Sequence, residues 1–341
     1  VRKLLTSLGL DVIEAPPVTN RTIEIGARYA PEGVCLPYKV NLGNFIESLE
    51  LGADTILTVC GPGKCRLGFY HAVHKIALAR QRPVQIFSIN VDHLFSDIYK
   101  FLQAVVPQAN KFTIIKQILL TIHALRALDA INNAKNHFGA LSSSPGQIIN
   151  LANAGIQKLA NCNTISEING IRDQTIELIK ATCDYTRPHP RKVCLIGEFF
   201  LLMEPRVNHM IEDRLLAHGL AVTRFVNTGD WVFSRTLLEM LGLYNEEKAG
   251  LRQAAPYLNY HVGGEGLKSV GSALWCARNG YDGIVHAYPF GCMPEIVAQY
   301  ALKNIAQDYN IPLLTLSIDE HASDVGILTR VEAFADCIKR K

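Results

Sequence analysis

Short aliphatic and β-branched runs that end in Gly, Pro or Asn alternate along this chain with longer stretches carrying apolar residues at three- and four-residue spacing. An unbroken or alternating apolar run of about four to eight residues predicts a strand, whereas apolar positions at i, i+3, i+4 and i+7 predict a helix with one buried face. In the N-terminal third the strand pattern falls on residues 10–15, 54–60 and 83–90, and the helical pattern on 22–30, 40–51, 67–79 and 94–105. The alternation returns near the C-terminus, with strands predicted at 192–198, 220–226, 282–287 and 312–318. Helices regularly interposed between strands predict an α/β fold with parallel sheets.

Two lobes are predicted. Leu8-Gly9-Leu10-Asp11-Val12 and His218-Gly219-Leu220-Ala221-Val222, about 210 residues apart, both read as a helix end turning into a strand through a left-handed glycine. Between the lobes the strand signal fades, and long amphipathic patterns such as 112–134 and 166–183 dominate. The expected organisation is a first lobe over 1–108, a helical insert over 109–190 and a second lobe over 191–341. The stretch Thr186-Arg187-Pro188-His189-Pro190-Arg191 is the best linker, because two prolines interrupt its periodicity.

Composition narrows the function. Hydrophobic residues make up 48% and charged residues 19% of the 341, which suits packed cores and excludes general disorder. Lys and Arg total 34 against 31 Asp and Glu, and a formal charge of +3 predicts no nucleic-acid partner. The longest apolar run, 193–203, is broken by Glu198 and falls short of the roughly 18 residues that would predict a membrane span. Val1-Arg2-Lys3-Leu4-Leu5 does not open an export signal, so a cytoplasmic location is expected. Nine cysteines, an odd number, argue for reduced thiols over a disulfide framework.

Four cysteines fall in loops beyond predicted strands or ahead of predicted helices, where open α/β sheets gather their ligands. Cys60 ends a strand and opens Gly61-Pro62-Gly63-Lys64-Cys65; Cys292 lies in Tyr288-Pro289-Phe290-Gly291-Cys292-Met293-Pro294-Glu295; Cys35 lies in Gly33-Val34-Cys35-Leu36-Pro37. Gly and Pro around each let backbone N–H groups approach a sulfur-rich anion, and a helix start beside each predicts a lowered thiol pKa. Soft thiolates from several loops suit an iron-sulfur cubane, so Cys35, Cys60, Cys65 and Cys292 are the candidate ligands of a 4Fe-4S cluster. Zinc is the metal alternative, but C-x4-C without a second close pair is a poor structural zinc pattern. Cys162, Cys183, Cys194, Cys276 and Cys337 read as buried fillers.

On these residues the chain resembles the 2-hydroxyacyl-CoA dehydratase D-component family, which includes the benzoyl-CoA reductase cluster subunits, the double-cubane cluster proteins and activase-related members. Cys35-Leu36-Pro37-Tyr38-Lys39-Val40 with Gly43-Asn44 and Gly52-Ala53-Asp54 resembles its first cluster loop, and Gly197-Glu198 with Glu204-Pro205 and Asn208 the opening of its second lobe. Pro289-Phe290-Gly291-Cys292-Met293-Pro294-Glu295, Ser317-Ile318-Asp319-Glu320-His321 and Thr329-Arg330-Val331-Glu332-Ala333-Phe334 resemble its C-terminal signature. The resemblance implies two flavodoxin-like (Rossmann-like) lobes with a cluster at their junction, loaded by an ATP-hydrolysing activase, commonly in a homodimer or heterodimer. It implies an oxygen-sensitive electron carrier, or a reductase or dehydratase component acting on an acyl-CoA or another small molecule. A fourth cysteine would close the iron site that ordinary dehydratase subunits leave open and favour electron transfer. An 8Fe double-cubane cluster is the alternative, and it would need six ligands. A cluster-free two-lobed protein that binds a small ligand is the reading from another class.

The remaining motifs are weaker. Gly61, Gly63 and Lys64 do not form a nucleotide phosphate loop, since Cys65 stands where Ser or Thr is required; they are instead candidate cofactor contacts, with Lys64 and Arg66 offering positive charge beside an anionic cluster or a docking patch for a partner. Gly263-Gly264-Glu265-Gly266 only partly matches a dinucleotide fingerprint and reads as a loop that caps a helix near the cluster, so Gly264 and Gly266 join the candidate cofactor contacts. Glu198 and Glu295 are candidate proton-moving carboxylates, with helix capping the rival role for Glu295. His286 and His321 read as satisfied, partly buried histidines near strand ends.

Overall fold

The computed structural model describes residues 2–61, 65–81, 83–234, 238, 241–243 and 245–340. The first lobe runs through α1 (Arg2–Thr6), α2 (Asn20–Tyr29), α3 (Leu36–Glu50), β1 (Thr55–Cys60), α4 (Tyr70–Ala79), β2 (Gln85–Asn90) and α5 (Leu94–Val105). Its strands pair in parallel, from Thr55 opposite Gln85 to Cys60 opposite Asn90. The strand predicted at 10–15 does not form. Pro16 and Pro17 follow it directly, which removes donors a ladder would need, and the segment lies largely exposed with Ile13 38% accessible. The left-handed glycine turn does occur at both echoed places, with φ of 87° at Gly9 and 76° at Gly219, but only the second leads into a strand.

The insert consists of α6 (Lys111–Phe138), α7 (Pro145–Leu159) and α8 (Ile165–Ala181) around a core that includes Ile131, Ile148, Ile168 and Ile179. It does not stand apart from the second lobe. Helix α6 donates from Lys135 to Asp213 at 2.7 Å, and Arg224 pairs with the neighbouring Glu212 at 3.0 Å. The predicted linker is an exposed stretch without helix or strand.

The second lobe contains β3 (Lys192–Gly197), α9 (Phe199–Met203), α10 (Ile211–Ala217), β4 (Ala221–Arg224), α11 (Thr228–Phe233), α12 (Glu246–Ala254), α13 (Gly266–Arg278), β5 (Gly283–Pro289), α14 (Met293–Asp308), β6 (Leu313–Ile318) and α15 (Asp324–Arg340). Its four parallel strands run in the order β4-β3-β5-β6, the flavodoxin-like arrangement with a topological switch between β3 and β5. Strand β3 is a continuous apolar run because both its faces are covered. Val193 and Leu195 enter one core with α10 and α15, while Cys194 and Ile196 enter the other with α13 and α14.

Helix α3 belongs to both lobes. Tyr38, Leu42, Ile46 and Leu49 face the first lobe's core, whereas Leu36 and Val40 join the core of the second sheet. The buried Lys39 of the same helix pairs with Glu320, which follows β6. The two lobes therefore meet along α3, and the loop before it opens into the crevice at the switch point.

Candidate functional site

Three thiols occupy equivalent local positions. Cys35 is the N-cap of α3, Cys65 the N-cap of the 3-10 turn Arg66–Phe69 that leads into α4, and Cys292 the N-cap of α14. Proline at the start of α3 and α14 favours helix initiation just past each cysteine, since its lost N–H would lack a partner there in any case. A left-handed Gly291, φ 72°, turns the chain from β5 into the last of these loops.

The thiols come from different lobes but share one crevice. Arg66 ties its walls together, donating to the carbonyl of Gly33 at 2.7 Å and to that of Gly291. Gly264, at φ 43°, lies against Cys65 and Pro294: a Cβ there would stand 4.0 Å from the Cys65 Sγ and 3.2 Å from the Pro294 Cγ. Gly266 also backs onto Pro294, whose carbonyl would be 2.8 Å from a Cβ. The turn at 263–266 thus closes over the cysteine loops.

Burial governs the protonation of these groups. It raises the pKa of all three thiols, against the lowering predicted from their helix-start positions. At Cys35 the opposing influences are the Tyr70 hydroxyl and the Arg66 charge; at Cys65 they are the Leu67 amide and Arg66. Neighbouring acids add to the burial effect, because Glu198 raises all three thiols, Cys35 raises Cys65, and both Glu295 and Cys65 raise Cys292. The three thiols therefore hold their protons until a cation compensates them.

Glu198 stands where β3 ends at the switch point. Its carboxylate caps α9, accepting from the amides of Phe200 at 3.0 Å and Leu201 at 2.9 Å. Burial, reinforced by Glu295 and Glu265 and opposed by these two amides, pushes its pKa up to about 7. Glu295 lies in the first turn of α14, as expected of an acid at a helix start, and is fully buried with its Oε2 2.8 Å from the Nε2 of the equally buried His286. Tyr288 stacks on that imidazole with ring centroids 4.8 Å apart.

The other predicted residues divide. Cys60, half-buried at the end of β1, shares a strand face with Ile56 and Thr58, the side turned toward the core that holds Cys35 and Tyr70. Gly61 packs on its own lobe, where an added Cβ would stand 3.3 Å from Val91 and 3.8 Å from the Gly68 Cα. Gly63 and Lys64 lie outside the described residues. Cys194 and Cys276 sit in the second lobe's core, whereas Cys337 is exposed and His321 is exposed too, contrary to the burial predicted for them.

Sequence reasoning missed Tyr70, whose hydroxyl meets the Cys35 Sγ at 2.5 Å. Thirty-five positions separate the pair and no spacing rule links them. Among the described residues, no three His, Cys, Asp or Glu side chains converge closely enough to hold a single metal ion. No protein-family model matches the chain, and no curated protein matches it.

Proposed function

We propose that this protein is an iron-sulfur protein whose cluster is held between the two lobes, with Cys35, Cys65 and Cys292 as ligands and Cys60 as the fourth. The observation that carries this is that buried Cys35 and Cys292 and half-buried Cys65 start three separate helical turns around one crevice, where Cys35 acts electrostatically on Cys65 and Cys65 on Cys292. The donor type suits such a group: soft thiolates with nearby amides suit iron and sulfide, and Arg66 on the crevice wall offers positive charge beside the anionic cluster they would form. Gly264, having no side chain, lets its backbone pack against both Cys65 and Pro294.

Bound there, a 4Fe-4S cluster would supply one-electron redox chemistry. The chain's own groups would set its character. Glu198 and Glu295 disfavour added negative charge and so favour a low potential, while Arg66 opposes them from the crevice wall. Glu198, with its pKa near 7, is suited to take up a proton as negative charge accumulates. An ATP-hydrolysing activase as electron donor, and an acyl-CoA or other small molecule as eventual acceptor, complete the proposal on the strength of the motif likeness.

Iron and acid-labile sulfide per chain, measured on anaerobically purified protein with an electron paramagnetic resonance spectrum after dithionite reduction, test it. We expect about four of each and a reduced-cubane signal. Cys35→Ala, Cys65→Ala and Cys292→Ala should each lose most of the iron, whereas Cys194→Ala should keep it. About eight irons would replace the single cubane with a double one, and no iron after anaerobic reconstitution would overturn the proposal in favour of a cluster-free ligand-binding protein.

A further inference from the structure

We infer that Tyr70 is a positioning residue that tunes the redox potential of the centre by donating a hydrogen bond to the Cys35 sulfur; this rests on the iron-sulfur reading above. The hydroxyl lies 2.5 Å from the Cys35 Sγ, and both residues are buried, at 4% and 7% exposure. Between a thiol and a phenol either atom can donate. Once Cys35 is a metal-bound thiolate it carries no proton, so Tyr70 must be the donor.

The ring has little freedom to do otherwise. Tyr70 opens α4 and stands edge-on to Tyr38 with centroids 5.1 Å apart, while Tyr38 stacks on the buried His74 at 4.2 Å. His74 in turn meets the edge of Phe45 at 5.0 Å. The hydroxyl is therefore pre-aimed and costs no reorganisation when charge on the sulfur changes.

A single electron from an external low-potential donor enters the centre, no covalent bond forms or breaks in the chain, and part of the added negative charge falls on the ligand sulfurs. A charge-assisted bond strengthens as its acceptor becomes more negative, so the Tyr70 O–H stabilises the reduced form more than the oxidised form. Removing it must lower the potential.

The test is a redox titration, followed by electron paramagnetic resonance, of wild type and Tyr70→Phe with matched iron content. We expect the variant to be harder to reduce by about tenfold in the equilibrium constant, a shift of about 59 mV to more negative potential for one electron. Site-specific replacement Tyr70→3-fluorotyrosine, which keeps the packing and makes the hydroxyl a stronger donor, should shift the potential the other way. Equal potentials in wild type and Tyr70→Phe overturn the inference, as does a negative shift with the fluorinated residue should Tyr70→Phe fail to hold iron. Failure of the wild type itself to bind iron is a different result and strikes the underlying reading instead.

Discussion

Single side chains at this crevice are read mainly through what burial does to their protons. Glu198 carries the clearest consequence. Its folded-state pKa of about 7 lies above the ordinary 4.5, so between those values the folded apoprotein holds more protons than the unfolded chain. Stability must therefore fall as pH rises through that window, the reverse of the behaviour of a carboxylate in an ion pair. We expect thermal melts of the apoprotein to show this decline from pH 5 to pH 8, and Glu198→Gln to flatten it. An unchanged slope in the variant would move the titration elsewhere. The raised thiols carry a related expectation of the proposed iron-sulfur function: binding iron there would displace their protons, so under that proposal iron incorporation should improve as pH rises over the same range.

Elements, rather than residues, aim these groups. Strand β3 ends at Gly197, whose φ of 139° and closeness to β5 leave no room for a side chain: a Cβ would stand 1.8 Å from the Ala287 carbonyl oxygen. That contact sets the direction in which Glu198 leaves the sheet. Gly197→Ala should cost on the order of 3 kcal/mol through strain and displaced backbone. Gly219→Ala, with φ 76° and open space around it, should cost only about 1 kcal/mol. Urea denaturation of the two variants checks the ranking, and equal losses would show that the sheet yields more easily than its geometry implies. The helix starts at Leu36 and Met293 were legible in outline, because Pro37 and Pro294 follow cysteines in loops. The effect on the thiols was not, since a helix start lowers a thiol pKa by a local field whereas burial depends on everything that packs around it.

At the scale of the whole molecule, the crevice exists because α3 is shared between two cores and locked by a charge pair between buried Lys39 and half-buried Glu320. Lys39 on α3 and Glu320 beyond β6 belong to different lobes, and each leaves the other desolvated if removed. Glu320→Gln should destabilise by about 3 kcal/mol, while the double replacement Lys39→Met with Glu320→Leu should return most of the loss. Chemical denaturation distinguishes the cases: a single variant as stable as wild type would mean that the lobes are held by apolar packing through Leu36 and Val40 alone.

The pattern of apolar positions by itself determined the α/β class, the four strands of the second sheet and the helical character of the insert, because strand and helix periods depend on short stretches of chain. It also singled out cysteines beside glycine and proline as the chemistry worth following. Only the tertiary structure decided that the loops of Cys35, Cys65 and Cys292 line one crevice, since α3 packs into both cores and Arg66 bonds the carbonyls of Gly33 and Gly291 across the gap. It likewise denied a strand to residues 10–15, which find no neighbour to pair with ahead of two prolines, and set Tyr70 against Cys35. Such long-range contacts and the burial they create are properties of the assembled fold, which no local spacing encodes.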